Sequence, residues 1–140
     1  MSRSGYSDDI DDQWGWIRWR GTVASAIRGK RGQAFLTEML AAMDALPEKK
    51  LVAWQLEAEG QVCAIGSVGR QRGVDMTKLD PEDYDTVAGT FGVATPLAQE
   101  IVWMNDEAGP FKETPEQRFA RMRKWVQSKL RASPSPARSA

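Results

Sequence analysis

The chain has 140 residues, with 19 Lys and Arg against 19 Asp and Glu, 41% hydrophobic residues and no histidine. This is one domain's worth of chain, long enough to bury a core without staples; the lack of histidine and the single cysteine, Cys63, exclude an internal disulfide, a structural zinc site and the commonest general base. The amino terminus is polar and acidic without an apolar signal core, and no run approaches the roughly 20 apolar residues of a membrane span, so a reducing cytoplasm is the expected compartment and membrane partners are not expected.

Zero net charge hides a segregated pattern. Residues 1–17 sum to −3, 18–72 to +4, 73–117 to −8 and 118–140 to +7. Six tryptophans are a heavy allotment, and such residues supply either core area or binding anchors.

Residues 1–13 lack periodicity and carry four aspartates, which predicts a flexible acidic leader. From Trp14 to Arg28 a helix is expected, because Trp16, Trp19, Val23 and Ile27 recur at three and four residues. Gly29-Lys30-Arg31-Gly32 then reads as a break. A second helix should run from Gln33 to Leu46 with Phe35, Leu36, Met39, Leu40 and Met43 inward and Pro47 beyond its end.

Leu51 to Glu57 switches to period two, placing Val52, Trp54 and Leu56 on one face. Val62 to Val68 is again strand-like, with Cys63 packed inside it, so the pair reads as an antiparallel hairpin turning at Glu59-Gly60. Gly66, Gly69 and Gly73 beside Arg70 and Arg72 read as a flexible exit loop. The same glycines and arginines also admit a site for a phosphate or carboxylate.

The stretch from Asp80 to Asp106 carries the best-shaped motif. Asp80-Pro81 is a helix start, Thr95-Pro96 repeats it, and Gly92 offers the positive φ that ends one helix and lets the next leave at an angle. With Val87, Phe91, Val93, Ala98 and Ile101 apolar, this predicts a helix-turn-helix-like pair over 80–105. Thr95, Gln99, Glu100 and Trp103 should point outward from its second helix, with Asn105 at its end. After a turn at Asn105–Pro110, Thr114-Pro115-Glu116-Gln117 is a capping box. It opens an amphipathic basic helix with Phe119, Met122, Val126 and Leu130 on one side and Arg118, Arg121, Arg123, Lys124 and Lys129 around the rest. Residues 132–140 read as a disordered tail.

The expected fold is therefore a mostly helical α+β single domain over 14–131, with about five helices and one antiparallel hairpin. Carboxylates Asp80, Glu82, Asp83 and Asp85 cluster at a helix start, where the dipole favours anions without any reaction, and no nucleophile motif accompanies the serines. No enzyme activity, cofactor or metal is expected. Two kinds of binding remain. Protein binding would use Trp14, Trp16, Arg18, Trp19, Arg20, Trp103 and Met104, the Trp and Arg composition of interface hot spots. DNA binding would use Thr95, Gln99 and Asn105 to read bases, with phosphate contacts from Lys30, Arg31, Arg70, Arg72, Arg121 and Lys124. The second helix of the pair carries no Lys or Arg and lies in the −8 segment, which opposes its entry into a groove unaided.

The start Met-Ser-Arg-Ser-Gly-Tyr-Ser-Asp-Asp, then Ile17-Arg18-Trp19-Arg20-Gly21, Gly29-Lys30-Arg31-Gly32-Gln33, Val62-Cys63-Ala64-Ile65-Gly66, Asn105-Asp106-Glu107 and Thr114-Pro115-Glu116-Gln117-Arg118 resemble a type of small protein encoded by tailed phages and prophages of proteobacteria. The resemblance covers about residues 1–127. It implies a genomic setting and carries over no catalytic or binding residue. Small accessory phage proteins often inhibit or regulate host machinery, CRISPR complexes included. The expected function is thus binding to a host or phage protein complex, in the form of a counter-defence, anti-CRISPR-like inhibitor; the alternative is a helix-turn-helix DNA-binding regulator.

Overall fold

A computed structural model describes residues 13–131 of the chain. The expected leader, apart from Gln13, and the expected tail lie outside the described residues. Helix α1 (Gln13–Arg28) forms where the apolar spacing placed it and buries Val23 and Ile27. The break after it is one residue long, not four: Gly29 sits at φ −65° and ψ 160°, and α2 (Lys30–Asp44) starts at the next position. Gly32 serves packing instead. A Cβ there would stand 1.9 Å from the Ala26 carbonyl oxygen, so only glycine lets α2 cross the end of α1 this closely. Gln33 locks the corner, donating from Nε2 to the Ile27 and Lys129 carbonyls at 2.8 and 3.0 Å and accepting at Oε1 from the Arg131 N–H at 2.8 Å.

The hairpin exists but is short. Strands β1 (Glu57–Ala58) and β2 (Gln61–Val62) pair antiparallel, Glu57 opposite Val62 and Ala58 opposite Gln61. Glu59 and Gly60 both have positive φ, 53° and 79°, the twist of the turns that suit two-residue hairpins. Neither flank is the strand expected. On the first, Trp54 has φ 73° and turns outward while Leu56 is buried, so the period-two face breaks. On the second, the chain after Val62 becomes helix α3 (Ala64–Arg72).

Helix α3 is the main correction to the sequence reading. A short apolar run has no periodicity that separates a buried strand from a buried helix, and here Cys63 decides for helix by capping it: Sγ accepts the Gly66 N–H at 3.3 Å. Residues Ala64 to Gly69 are all buried, as a helix apolar on every side must be. Gly66 belongs to this packing, since a Cβ on it would lie 2.1 Å from the Leu56 carbonyl oxygen. The glycines at 66 and 69 are therefore inside a helix, not in an exit loop or a phosphate cradle, and only Gly73, at φ 72°, ends it.

A short 3-10 turn (Met76–Lys78) leads to α4 (Tyr84–Phe91) and α5 (Thr95–Asp106). The cap of α4 is Asp83, whose carboxylate accepts the Thr86 N–H and hydroxyl at 3.3 and 2.8 Å. Asp80 instead shapes the preceding turn, accepting the Glu82 N–H at 2.9 Å. Gly92, φ 72°, closes α4. Helix α6 (Pro115–Lys129) begins with the full capping box, Thr114 and Gln117 exchanging bonds of 3.0 and 3.1 Å.

The result is a mostly helical α+β fold with one two-stranded antiparallel sheet. Among the described residues it has six α-helices, the additional one being α3. One core joins Leu36, Met39, Leu51, Ile65, Phe91, Leu97, Ile101 and Met122. Helix α5 runs through the middle of the assembly, touching α1, α3, α4 and α6. No helix among the described residues is long and apolar enough to cross a membrane.

Candidate functional site

Large apolar side chains left in water, where burial of each would gain about 1.5–3 kcal/mol, mark the candidate binding surfaces. Two such places stand out. At the start of α1, Trp14, Trp16 and Ile17 are 70%, 39% and 50% exposed within four consecutive positions. The other lies at the C-terminal end of α5, where Trp54 and Phe111, 46% and 91% exposed, line a cleft of about 540 Å³ together with Asp106, Glu107 and Lys112.

The α1 surface is held by an ion pair one turn further in. Arg20 donates from both terminal nitrogens to Glu100 of α5 at 3.1 and 3.3 Å, and its guanidinium carbon lies 6.0 Å from the centre of a Trp16 ring. Glu100 is buried. That burial pushes its carboxyl above the usual range, and the Arg20 charge beside it opposes the shift. The outward surface and the buried anchor thus meet at one arginine, which fixes where α1 presents its first turn.

The expected protein-binding set therefore divides. Trp14, Trp16 and Arg18 face solvent. Trp19 packs partly buried against the core, Arg20 is turned toward Glu100, and Trp103 and Met104 are half-buried in α5, Met104 against the core. Ile17 completes the exposed group and was absent from the expected set. Its helical spacing from Gly21 and Ser25, outside the apolar stripe, was the available signal.

The expected base-reading set is corrected at Asn105. Asn105 is 1% exposed and ties three segments together: its Oδ1 accepts the Ala64 N–H at 3.1 Å, and its Nδ2 donates to the Val52 carbonyl at 2.9 Å and to Asp106 at 2.7 Å. Glu100, also expected outside, is the buried partner of Arg20. Thr95 donates to Asp85 at 2.9 Å and Gln99 is half-buried. The physical reason is that α5 packs against four helices, so its polar residues Glu100 and Asn105 turn inward as latches.

The expected phosphate-contacting residues divide into engaged arginines and exposed cations. Arg70 donates to the Gly60 carbonyl at 2.6 Å. Arg72 grips Glu38 at 2.6 and 2.8 Å, holding that carboxyl below its usual range, and stacks over Phe35 and Phe91 at 5.7 and 6.0 Å. Arg121 pairs with Glu113 at 2.6 Å and takes the Met104 and Asn105 carbonyls at the end of α5. Arg123 pairs with Asp44 at 2.7 Å. Lys30, Arg31 and Lys124 are exposed.

In the cleft, Trp54 and Lys112 are two non-glycine residues at positive φ, 73° and 66°, conformations that cost L-residues roughly 1–2 kcal/mol each. Such strain persists only where the surroundings over-determine it. Here the Trp54 N–H donates to Asp106 at 3.1 Å, the same carboxylate that Asn105 holds. Neither Trp54 nor Phe111 was among the expected site residues, and the one signal for Phe111 was an aromatic following Gly109-Pro110 in a turn.

Cys63, fully buried and pushed up to about 12 by that burial, is not poised as a thiolate nucleophile. Among the described residues no three Cys, Asp or Glu side chains gather as a metal site. No protein-family model matches this chain, and no curated protein and no solved structure shows significant similarity to it.

Proposed function

We propose that this chain is a non-enzymatic, phage-type accessory protein that works in the host cytoplasm by binding a host or phage protein complex, as a counter-defence inhibitor. The observation that carries the binding part is the exposure of Trp14, Trp16 and Ile17 on the first turn of a helix anchored by Arg20 and Glu100. Indole side chains on a rigid element lose little entropy when they are covered, and with a neighbouring arginine, Arg18, they have the composition of interface hot spots. The resemblance to phage-encoded proteins supports the setting, and the pairing of Arg72, Arg121 and Arg123 with carboxylates of this chain weighs against a nucleic-acid backbone as the partner.

Affinity capture from host cells tests this, comparing the native chain with Trp14→Ala/Trp16→Ala and with Trp103→Ala as a half-buried control. The expected result is a stoichiometric complex recovered with the native chain and with the control, and lost with the double variant, since a hot-spot tryptophan is worth about 2 kcal/mol or more. Equal recovery with the double variant would remove α1 as the binding surface. Submicromolar binding to duplex DNA that falls steeply with salt would replace this reading with the DNA-binding regulator.

A further inference from the structure

The corner where α1 passes into α2 collects charge of one sign. Gln33 ties three segments together there, through the Ile27 and Lys129 carbonyls and the Arg131 N–H, and Nη1 of Arg131 donates to the Arg28 carbonyl at 3.4 Å. Arg28, Lys30, Arg31, Lys129 and Arg131 are thereby brought to one place, Lys129 half-buried and the others exposed. Helix α1 carries no acid, α2 none before Glu38 and α6 none after Glu116. Glu38 is bound by Arg72, and Glu100, which feels the Lys129 charge, is bound by Arg20. Among the described residues no carboxylate pairs with any of these five cations.

The fold accounts for three of the five. Arg28 and Lys129 stand in the last turns of α1 and α6, where a helix dipole is negative, and Arg131 lies just past the second of those ends. Lys30 and Arg31 instead open α2, whose first turn holds no acid and whose cap, Gly29, supplies no side-chain bond. Cations there face the positive end of a dipole, at a cost of about 0.3–1 kcal/mol each. Proteins break such local rules where function requires it.

Resting on the reading of α1 as the protein-gripping surface, we infer that this corner receives an acidic segment of the same protein partner, whose Asp and Glu carboxylates pair with Lys30 and Arg31 and with the three cations around them. Trp14 and Arg28 are 14 positions apart on α1, about 21 Å of rise and close to four whole turns, so both side chains leave the helix on one side. One interface of ordinary size spans that distance. Carboxylates fit better than nucleic-acid phosphates on two counts. Residues 28–33 and 127–131 hold no aromatic ring on which a base could stack, and Ile17, 50% exposed along the same side of α1, has nothing apolar to meet on a phosphate backbone.

The test is an NMR titration of the full chain, labelled with nitrogen-15, with N-acetyl-octaglutamate amide and with nonathymidylate, whose eight phosphates match the peptide in charge. The amide signals of residues 29–32 and of Arg131 should shift saturably with the peptide, with an affinity that falls about tenfold between low and physiological salt. Nonathymidylate should bind about threefold more weakly or worse. Lys30→Glu/Arg31→Glu should weaken peptide binding about tenfold, and it should leave the fold intact because carboxylates are favoured in the first turn of a helix; melting curves check this. Lys78→Glu, at an exposed cation elsewhere, and Trp14→Ala/Trp16→Ala should both stay within about twofold of the native affinity, so failure at the corner and failure of the α1 indoles read out separately. In affinity capture Lys30→Glu/Arg31→Glu should recover about a third or less of the complex held by the native chain. No saturable shift, shifts that spare the corner, equal or tighter binding of nonathymidylate, or undiminished capture with the charge-reversed variant would each overturn the assignment.

Discussion

The first turn of α1 and the Trp54–Phe111 cleft both hold aromatic rings in water, by opposite means. On α1 the backbone is an ordinary helix, and the rings project from a surface seated by Val23 and Ile27 in the core and by Arg20 on Glu100. In the cleft the rings come from two loops, and the backbone at Trp54 and Lys112 is strained; Asn105 and Asp106 hold the Trp54 loop in place. Exposure on α1 is therefore separable from stability, whereas the position of Trp54 in the cleft is tied to it.

The largest effect should follow from breaking that tie. Asn105→Ala leaves the Ala64 N–H and the Val52 carbonyl without their side-chain partner, and should cost about 2–4 kcal/mol in urea unfolding. The Trp54 indole should lose its native chemical shift while those of Trp14 and Trp16 keep theirs. If all three moved together, the two regions would not be independent.

Gly32→Ala probes how firmly α1 is seated. Its Cβ would meet backbone, the Ala26 carbonyl oxygen at 1.9 Å, so a loss of about 1–3 kcal/mol is expected by overpacking; a neutral result would mean α1 sits more loosely on α2. Lys112→Gly acts in the opposite direction, since glycine adopts φ 66° without strain, and thermal unfolding should show a gain of about 0.5–1 kcal/mol. Smaller still is Trp14→Ala, expected to stay within about 0.5 kcal/mol of the native chain because the side chain is 70% exposed.

Protonation sharpens the comparison without any substitution. Burial raises the Glu100 carboxyl above its ordinary value of 4.5. Between that value and its folded one the folded chain binds more protons than the unfolded chain, so this group favours folding increasingly as pH falls through the window. Glu38 and Asp44 have lowered values through their bonds to Arg72 and Arg123, and the stability they contribute is lost as pH falls through those lower values. A pH series of urea unfolding should thus show the Glu100 contribution first, and Glu100→Gln should abolish that part alone.

Much of the fold was legible in the residues. The three-and-four spacing located α1 and α2, the positive φ of Gly92 ended α4, and Thr114 with Gln117 marked the start of α6. These signals act over four or five residues, within reach of one helical turn. The misplaced elements depended on what lies across the core. Val62 to Val68 suits a buried strand or a buried helix equally, and the Cys63 cap with the close approach of Gly66 to Leu56 chose helix. Asp80 and Asp83 both fit a cap, and the chain used the one nearer α4. Asn105 looked like a reading residue only on the premise that polar groups of α5 face water, which fails for a helix packed against four others. For the candidate site, the exposure of Trp14, Trp16 and Arg18 agrees with the composition reading, while the outward turn of Trp54 rests on a positive φ that no local pattern announces.

The central claim is that the α1 indoles are where a partner is gripped. The most direct measurement is the fluorine spectrum of the chain labelled with 5-fluorotryptophan, with and without the captured complex, each signal assigned by single substitution. The Trp14 and Trp16 signals should shift or broaden on binding while that of the core-packed Trp19 changes least. A complex that forms with both of those signals unmoved would contradict the account.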